Sequence, residues 1–219
     1  MRILAFTDIH GSYSTVEEIL FREFAGKGFD VVILGGDITT HGTPAEARDA
    51  VTRFQKFGKP VLTVAGNMDP INLEETFSVL GGSINACGKS ISDAGFFGVS
   101  GAPHSFLRTP YEISEEEILR RAEAGWNDVK SARWKIFVPH TPPFNTNVDK
   151  VFAGKHVGST SVKKFIEEKQ PAVVVCGHIH EARGTDTIGK SFIINCGQAG
   201  KGLYGVITIE NALHAELAG

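Results

Sequence analysis

Two histidines, His178 and His180, stand one residue apart directly after an apolar run at 172–176. Four earlier apolar runs also end in a carboxylate, an amide or an imidazole, often beside glycine. One such residue can be a turn or a helix cap, but turn chemistry does not explain five strand ends of this kind. Ligands of open α/β sheets bind beyond the carboxyl ends of the strands. The candidate ligands are Asp8, His10, Asp37, Asn67, His140, His178 and His180.

These side chains have the chemistry of metal ligands. Residues i and i+2 of an extended chain point the same way, so Asp8 and His10 can hold one ion and the histidine pair can share a centre. Seven ligands are too many for one tetrahedral ion, but they suit two ions of five or six coordination, completed by water. Mixed oxygen and imidazole ligands favour Mn, Fe, Zn, Co or Ni over Mg or Ca, and we favour Mn. Two divalent ions beside two carboxylates keep a positive charge that attracts phosphate.

The elements that would position these residues are short strands alternating with helices. Continuous apolar strands between helices indicate a parallel sheet covered on both faces. After Gly177, strands alternate with glycine turns, which predicts antiparallel pairs on one side of the fold. A single domain over residues 1–219 is the simplest organisation. Strands are predicted near 2–6, 31–34, 60–64, 96–99, 136–138 and 172–176, and helices near 15–24, 44–57, 73–80, 114–130 and 159–169.

Composition excludes several classes of function. The net charge is −3 without a basic run, so dedicated nucleic-acid binding is not expected. The apolar segments are shorter than the roughly 20 residues of a membrane span, so no membrane partner is expected. The chain turns polar at Thr7, too early for a signal peptide. Three widely spaced cysteines, Cys87, Cys176 and Cys196, favour reduced thiols and a cytoplasmic location.

The series Asp8-x-His10, Gly36-Asp37, Gly66-Asn67-x-Asp69, His140 and Gly177-His178-x-His180 resembles the calcineurin-like metallophosphoesterase family. All five motifs occur in the family's order, and residues 7–11 and 177–184 look similar to small Icc-related prokaryotic phosphoesterases. The resemblance implies an α/β fold: a four-layer α/β/β/α sandwich of two packed mixed β-sheets, with the metal site at the C-terminal ends of the strands. It also implies that Asp8, His10 and His180 hold the first metal, that Asn67, His140 and His178 hold the second, and that Asp37 bridges them.

The chain departs from this family at Met68, where the usual motif has a histidine that neutralises the phosphoryl group or protonates the leaving oxygen. A thioether does neither, and general acid catalysis is typically worth about 10² to 10⁴ in rate. His156, before a predicted helix start that can bind anions, and His104, after a strand, are candidate substitutes; each can instead be a solvated loop residue. Arg183 can bind a phosphate oxygen or form a structural salt bridge.

The sequence therefore predicts a dinuclear metal-dependent phosphoesterase acting on a small phosphorylated substrate. A hydroxide bridging the two metals would attack a phosphodiester or an activated phosphomonoester, and phosphodiesterase activity is favoured because the usual acid is missing. The alternative is a catalytically weak or inactive scaffold of the same fold, with a structural or partner-binding metal site. Met68 favours the scaffold, whereas the complete ligand set opposes it. His41 and His214 are predicted to be surface residues.

Overall fold

The computed structural model describes all residues from 1 to 219, and its main strands form two β-sheets. The first sheet contains β1 (Arg2–Phe6), β2 (Val31–Gly35), β3 (Val61–Val64), β12 (Tyr204–Ile209) and β13 (Leu213–Ala218), numbered along the chain. Its strand order is β13-β12-β1-β2-β3. The first three strands along the chain are parallel, and the two C-terminal strands add to them in antiparallel fashion.

The second sheet has the order β10-β11-β9-β8-β5-β4. Its four inner strands are parallel, and an antiparallel strand closes each edge. A separate two-stranded ladder joins β6 to β7. The bounds are β4 (Gly88–Ile91), β5 (Ala94–Val99), β6 (Ala102–Pro103), β7 (Glu112–Ile113), β8 (Trp134–Pro139), β9 (Val173–Cys176), β10 (Gly184–Ile188) and β11 (Ser191–Asn195).

The alternation of side chains along each strand builds a layered core. In β1, Ile3 and Ala5 join a cluster of 17 buried residues drawn from strands of both sheets, whereas Leu4 and Phe6 join a larger cluster that includes the helices. The result is the four-layer α/β/β/α sandwich of the predicted fold class. None of the helices has the length and hydrophobicity that a bilayer crossing requires. The helices are α1 (Tyr13–Ala25), α2 (Pro44–Gln55), α3 (Leu73–Val79), α4 (Glu115–Asp128) and α5 (Thr160–Lys169).

The predicted elements agree with the observed ones to within a few residues at each end. Thr43 caps α2 as its position before Pro44 predicts, because its Oγ1 accepts from the Glu46 N–H at 3.3 Å. The sequence analysis missed β4, a half-exposed edge strand that contains Lys89 and Ser90 in place of an apolar run. An edge strand packs one face at most, so its hydrophobic signal is weak.

The C-terminal antiparallel pairs lie on one side of the fold, as expected, because β11 packs against β13, but they belong to two different sheets. The β10–β11 hairpin completes one edge of the second sheet, whereas β12 and β13 complete an edge of the first. The chain crosses between the sheets after Asn195, and β12 then pairs with β1 with Leu4 opposite Val206. Alternating strands and glycine turns identify hairpins but carry no information on which of two sheets each hairpin joins.

Candidate metal centre

The C-terminal ends of parallel strands from both sheets meet at one place and bring the predicted ligands together. The first sheet contributes residues that follow β1, β2 and β3, and the second contributes residues that follow β8 and β9. Two groups have ligand atoms that all lie within 4.8 Å of one another, and Asp8 belongs to both. We call the seven residues Asp8, His10, Asp37, Asn67, His140, His178 and His180 the ligand cluster.

One half of the ligand cluster is formed by Asp8, His10 and His180. His180 Nε2 lies 3.3 Å from Asp8 Oδ1 and 3.4 Å from His10 Nε2. His10 Nε2 is also 3.6 Å from Asp37 Oδ2. Three side chains from two different strand ends therefore surround one point, with a second carboxylate beside it.

The other half of the ligand cluster is formed by Asn67, His140 and His178. Asn67 Oδ1 lies 3.1 Å from His140 Nε2 and 2.7 Å from His178 Nδ1. His140 Nε2 is 3.6 Å from Asp37 Oδ2, the same oxygen that lies 3.6 Å from the imidazole of His10 in the first half. Asp37 therefore stands between the two halves, where a carboxylate can be shared by two ions.

The orientation of the imidazoles fits a divalent cation. His140 Nδ1 donates to the Gly35 carbonyl at 2.9 Å, so in the neutral ring Nε2 carries a lone pair toward Asn67 Oδ1 and Asp37 Oδ2. Because Nε2 faces two acceptor oxygens, it needs either a proton, which the raised pKa of His140 supplies in the metal-free site, or a cation between the ring and the oxygens. A hydrogen bond from the second ring nitrogen to a carbonyl is the usual way in which a ligating histidine is oriented. The donor set of the cluster therefore suits cation binding.

Electrostatics within the ligand cluster keep the Asp37 carboxylate charged. Burial by itself raises the pKa of Asp37, but His140, the Met68 N–H and His10 outweigh it and bring the pKa below its ordinary value. Burial lowers the pKa of His140, and the negative charge of Asp37 more than reverses this. Burial together with the positive charge of His140 lowers the pKa of His178 to about 4, so this ring is neutral near pH 7. A divalent ion requires buried negative charge and neutral imidazoles, so its binding would also displace the proton of His140.

The backbone at the strand ends is bent to aim these side chains inward. Asp8, His10, Asp37 and His178 all have left-handed backbone conformations, with φ between 48° and 66°. Such conformations cost on the order of 1–3 kcal/mol each and persist where the surrounding structure imposes them. Gly66 allows the closest approach in the site, because a Cβ atom there would collide with the Asp37 carboxylate.

Asp69 is a site residue whose role the sequence analysis did not assign. Its fully buried carboxylate accepts from the backbone N–H of Ile38 at 3.0 Å, of Thr39 at 2.8 Å and of Gly66 at 2.9 Å. It therefore fixes the loop after β2, which carries Asp37, to the loop after β3. Burial and the negative charge of Asp37 raise the pKa of Asp69 to about 6, against these hydrogen bonds. Its position in the third motif was the only signal in the sequence.

Comparison with known proteins identifies the part of the chain that contains these residues. The family model described as calcineurin-like phosphoesterase matches residues 1–182, which include strands of both sheets and the whole ligand cluster. The chain belongs to the calcineurin-like phosphoesterase family. Phosphoesterases of this family use divalent metals, and the ligand cluster provides candidate groups for them in this chain.

Relatives of this phosphoesterase include an uncharacterized protein of Methanocaldococcus jannaschii, 34% identical over 200 residues that cover 89% of this chain and 87% of the relative. A UPF0046 protein of Caenorhabditis elegans is 28% identical and is aligned over 79% of this chain and 64% of its own length. Among solved structures, TT1561 of Thermus thermophilus is similar with a TM-score of 0.76 at 17% identity, covering 98% of this chain and 97% of that one. A structure described as a novel archaeal phosphodiesterase has a TM-score of 0.56 at 15% identity, with both chains fully covered. At these identities the structures show a shared fold.

Met68 occupies the third motif of this phosphoesterase and contacts the ligand cluster through its backbone. Its N–H donates to Asp37 Oδ1 at 2.8 Å, which leaves Asp37 Oδ2 directed at His10 and His140. A backbone donor is independent of the side chain, so this contact is kept although the family's usual histidine is absent. The thioether itself supplies neither a proton nor a charge.

His156, a predicted substitute for the missing acid, lies in the loop that follows His140. Its Nδ1 is 2.7 Å from Asp149 Oδ1. Asp149 is buried and also accepts backbone N–H groups at Asn145, Thr146 and Gly158, so it organises this loop from within. The structure places His156 with that carboxylate, and its ring makes no hydrogen bond to the ligand cluster.

His104 and Arg183, the other predicted contacts, also lie with partners outside the ligand cluster. The side chain of His104 is 67% exposed, and its Nδ1 is 3.9 Å from Glu112 Oε2. Arg183 Nη2 donates to the Ala218 carbonyl of β13 at 2.9 Å, and its stem packs over Gly197. The structure thus gives Arg183 a contact with the C-terminal strand and gives His104 a place on an exposed loop.

Glu112 anchors the loop that contains His104, and this anchor predicts a dependence on pH. Burial raises the pKa of its carboxylate, but the N–H and hydroxyl groups of Ser105 and Thr109 donate to it and together lower the pKa to about 2. Because the pKa is lower in the folded loop, the stabilisation is complete above the ordinary value of 4.5 and is lost as the pH falls toward about 2. We expect hydrogen-exchange protection of the Ser105 and Thr109 amides to be higher at pH 6 than at pH 3.

Glu112→Gln removes the charge and should abolish this difference in protection between pH 6 and pH 3. The matched control is Glu210→Gln on the exposed turn between β12 and β13, which should leave both amides unchanged. Equal protection of the two amides in wild type and in Glu112→Gln at pH 6 would show that the carboxylate does not hold the loop.

Proposed function

We propose that this chain is a dinuclear, divalent metal-dependent phosphoesterase that hydrolyses a phosphodiester or an activated phosphomonoester. The observation that supports two ions is the position of Asp37 Oδ2, which lies 3.6 Å from an imidazole nitrogen in each half of the ligand cluster. In this proposal Asp37 would be shared by both ions, and Mn is the favoured metal. Asp8, His10 and His180 would hold the first ion, and Asn67, His140 and His178 would hold the second.

When bound, the two ions supply positive charge for the phosphate oxygens and activate water as the nucleophile. The protein's own residues fix the geometry of that chemistry. Asp37 Oδ1 accepts the Met68 N–H, and this hydrogen bond holds the carboxylate with Oδ2 directed at His140. The hydrogen bonds of His140 to Gly35 and of His10 to Thr40 hold the two rings with Nε2 directed inward.

The preference for diesters and activated leaving groups rests on Met68. The ligand histidines have their ring nitrogens committed to the cluster or to its supporting hydrogen bonds, so none of them is free to protonate a leaving alkoxide. A leaving group that is stable as an anion needs little protonation, so it is the better substrate for such a site. The structural neighbour described as an archaeal phosphodiesterase is consistent with this choice. The free thiols of Cys87, Cys176 and Cys196 are in keeping with activity in the cytoplasm.

The experiment that tests this function measures metal content and turnover on the same samples. Chelator-treated protein is reconstituted with Mn, and its ions per chain are counted by elemental analysis. Hydrolysis of bis(4-nitrophenyl) phosphate and of 4-nitrophenyl phosphate is then compared. We expect about two ions per chain and faster hydrolysis of the diester. One ion or none, with no turnover of either ester, would instead support the inactive scaffold.

A further inference from the structure

The loop at 39–42, which follows Asp37, is held against the ligand cluster by side-chain contacts. The N–H and the hydroxyl of Thr39 both donate to Asp69 Oδ1, each at 2.8 Å. Thr40 Oγ1 lies 2.9 Å from Nδ1 of the ligand His10. Two successive threonines therefore tie this loop to the centre and fix its position beside it.

His41 comes next in this loop and lies beside Met68. Its backbone N–H donates to the Met68 carbonyl at 2.9 Å. Its backbone is left-handed, with φ of 55°. The side chain of His41 is exposed and makes no hydrogen bond. His41 therefore has an imidazole without a hydrogen-bond partner, and its backbone is hydrogen-bonded to Met68, whose own side chain is not an acid.

The backbone hydrogen bond between His41 and Met68 places the two residues side by side. Residues joined by a backbone hydrogen bond have Cα atoms roughly 5 Å apart, within the reach of an imidazole from its own Cα. On this basis, and resting on the proposed function, we propose that His41 takes the place of the missing acid and donates the proton to the leaving oxygen.

The other histidines of the chain are engaged elsewhere. Four of the eight are in the ligand cluster. His156 is bound to the buried carboxylate of Asp149, and His104 lies beside Glu112. His214 is an exposed residue of the edge strand β13. His41 is thus the histidine outside the ligand cluster whose backbone is bonded to the third motif.

The proton balance of the proposed step is simple. The oxygen of a water molecule bonds to phosphorus while the bond from phosphorus to the ester oxygen breaks. The electron pair of that bond goes to the leaving oxygen, which takes the proton of the His41 imidazolium and departs as an alcohol or phenol. One proton of the attacking water passes to solvent, and a solvent proton restores His41. A good anionic leaving group gains little from this transfer, whereas a poor one depends on it.

The test is the dependence of kcat/KM on the leaving group. A series of aryl phosphodiesters from 4-nitrophenyl to unsubstituted phenyl is assayed with Mn-loaded wild type, His41→Asn and the control His214→Asn. We expect His41→Asn to lower kcat/KM for the phenyl diester by about 10²-fold or more while changing the 4-nitrophenyl diester little. Met68→His in the His41→Asn background should recover part of the loss, because it restores an imidazole in the same region. His214→Asn should follow wild type throughout.

Failure of the proposed function and failure of the assignment of His41 give different results. If wild type hydrolyses neither a diester of the series nor 4-nitrophenyl phosphate, the proposed function itself is wrong. If wild type is active and His41→Asn shows the same dependence on the leaving group, His41 is not the proton donor. A second measurement needs no turnover: inorganic phosphate added to Zn-loaded protein should shift the ring resonances of His41 and leave those of His214 in place. An unshifted His41 ring in phosphate-bound protein would also overturn the assignment.

Discussion

Asp37→Asn is expected to lower kcat/KM for an aryl phosphodiester by more than about 100-fold. Mutation of a residue that only supports a metal ligand already lowers metal affinity or activity roughly 10- to 100-fold. The asparagine keeps the shape of the side chain, and its Oδ1 can still accept the Met68 N–H. The group directed at His10 and His140 then becomes a neutral amide without the negative charge that lies 3.6 Å from both rings. Sharing of two ions is lost, so the content of Mn should fall toward one ion per chain.

The matched control for this substitution is Asp49→Asn. Asp49 is a largely exposed carboxylate on α2 that pairs with Arg53 at 2.9 Å, so the same chemical change there should leave turnover and Mn content unchanged. Thermal unfolding of both variants shows whether they are folded. A folded Asp37→Asn protein with the turnover and two ions of wild type would rule out Asp37 as the shared carboxylate.

The site could be predicted from the sequence as far as its ligands because each one follows a buried strand. The apolar runs before Asp8, Asp37, Asn67 and His140 mark strands, and parallel strands that end at one edge bring such residues together. Which ligand faces which was implied only by the resemblance to the family. In the structure Asp8, His10 and His180 lie together, Asn67 lies beside His140 and His178, and Asp37 lies near His10 and His140; the assignment of these residues to two ions stays a prediction.

What the sequence did not indicate depends on contacts between loops. His41 has no periodic context, so its type and position predicted a surface residue, and it is exposed. Its proximity to Met68 is set by a hydrogen bond between backbone atoms, which any residue pair can form. Arg183, which follows His180 closely, was a candidate for either a phosphate contact or a structural salt bridge, and the turn after His180 directs it to the Ala218 carbonyl. Separation along the chain is a poor guide to direction once a turn intervenes.

The role of Asp69 was also hidden, because a carboxylate inside a motif suggests a ligand or a cap. Asp69 instead accepts backbone N–H groups from two loops, and this role can be recognised only in the folded structure. Asp69 accepts from Ile38 and Thr39 in one loop and from Gly66 in the other. The relative position of Asp37 and Asn67 therefore depends on a residue whose carboxylate is bonded to backbone outside the centre.

Asp69→Ala is expected to lower the free energy of unfolding by about 3 kcal/mol or more, because three buried backbone donors lose their acceptor at about 1–3 kcal/mol each. The Thr39 hydroxyl loses the same partner. Asp69→Asn should lower the free energy of unfolding nearly as much. The NH₂ group of asparagine would face the N–H groups of Ile38 or Gly66, and two donors cannot form a hydrogen bond with each other. Chemical denaturation of the metal-free proteins measures this loss without a contribution from bound ions.

The structural role of Asp69 also predicts a loss of metal affinity that a general loss of stability would not cause. Asp149 provides the matched control, because it too is buried and accepts several backbone N–H groups, but within the loop that follows His140. Asp149→Ala should lower stability while calorimetric titration still finds two Mn ions per chain. Asp69→Ala should lower stability and also weaken Mn binding at least about 10-fold, as loss of a residue supporting the ligands does. Equal Mn affinity in the two variants would show that Asp69 stabilises the fold without positioning Asp37 and Asn67.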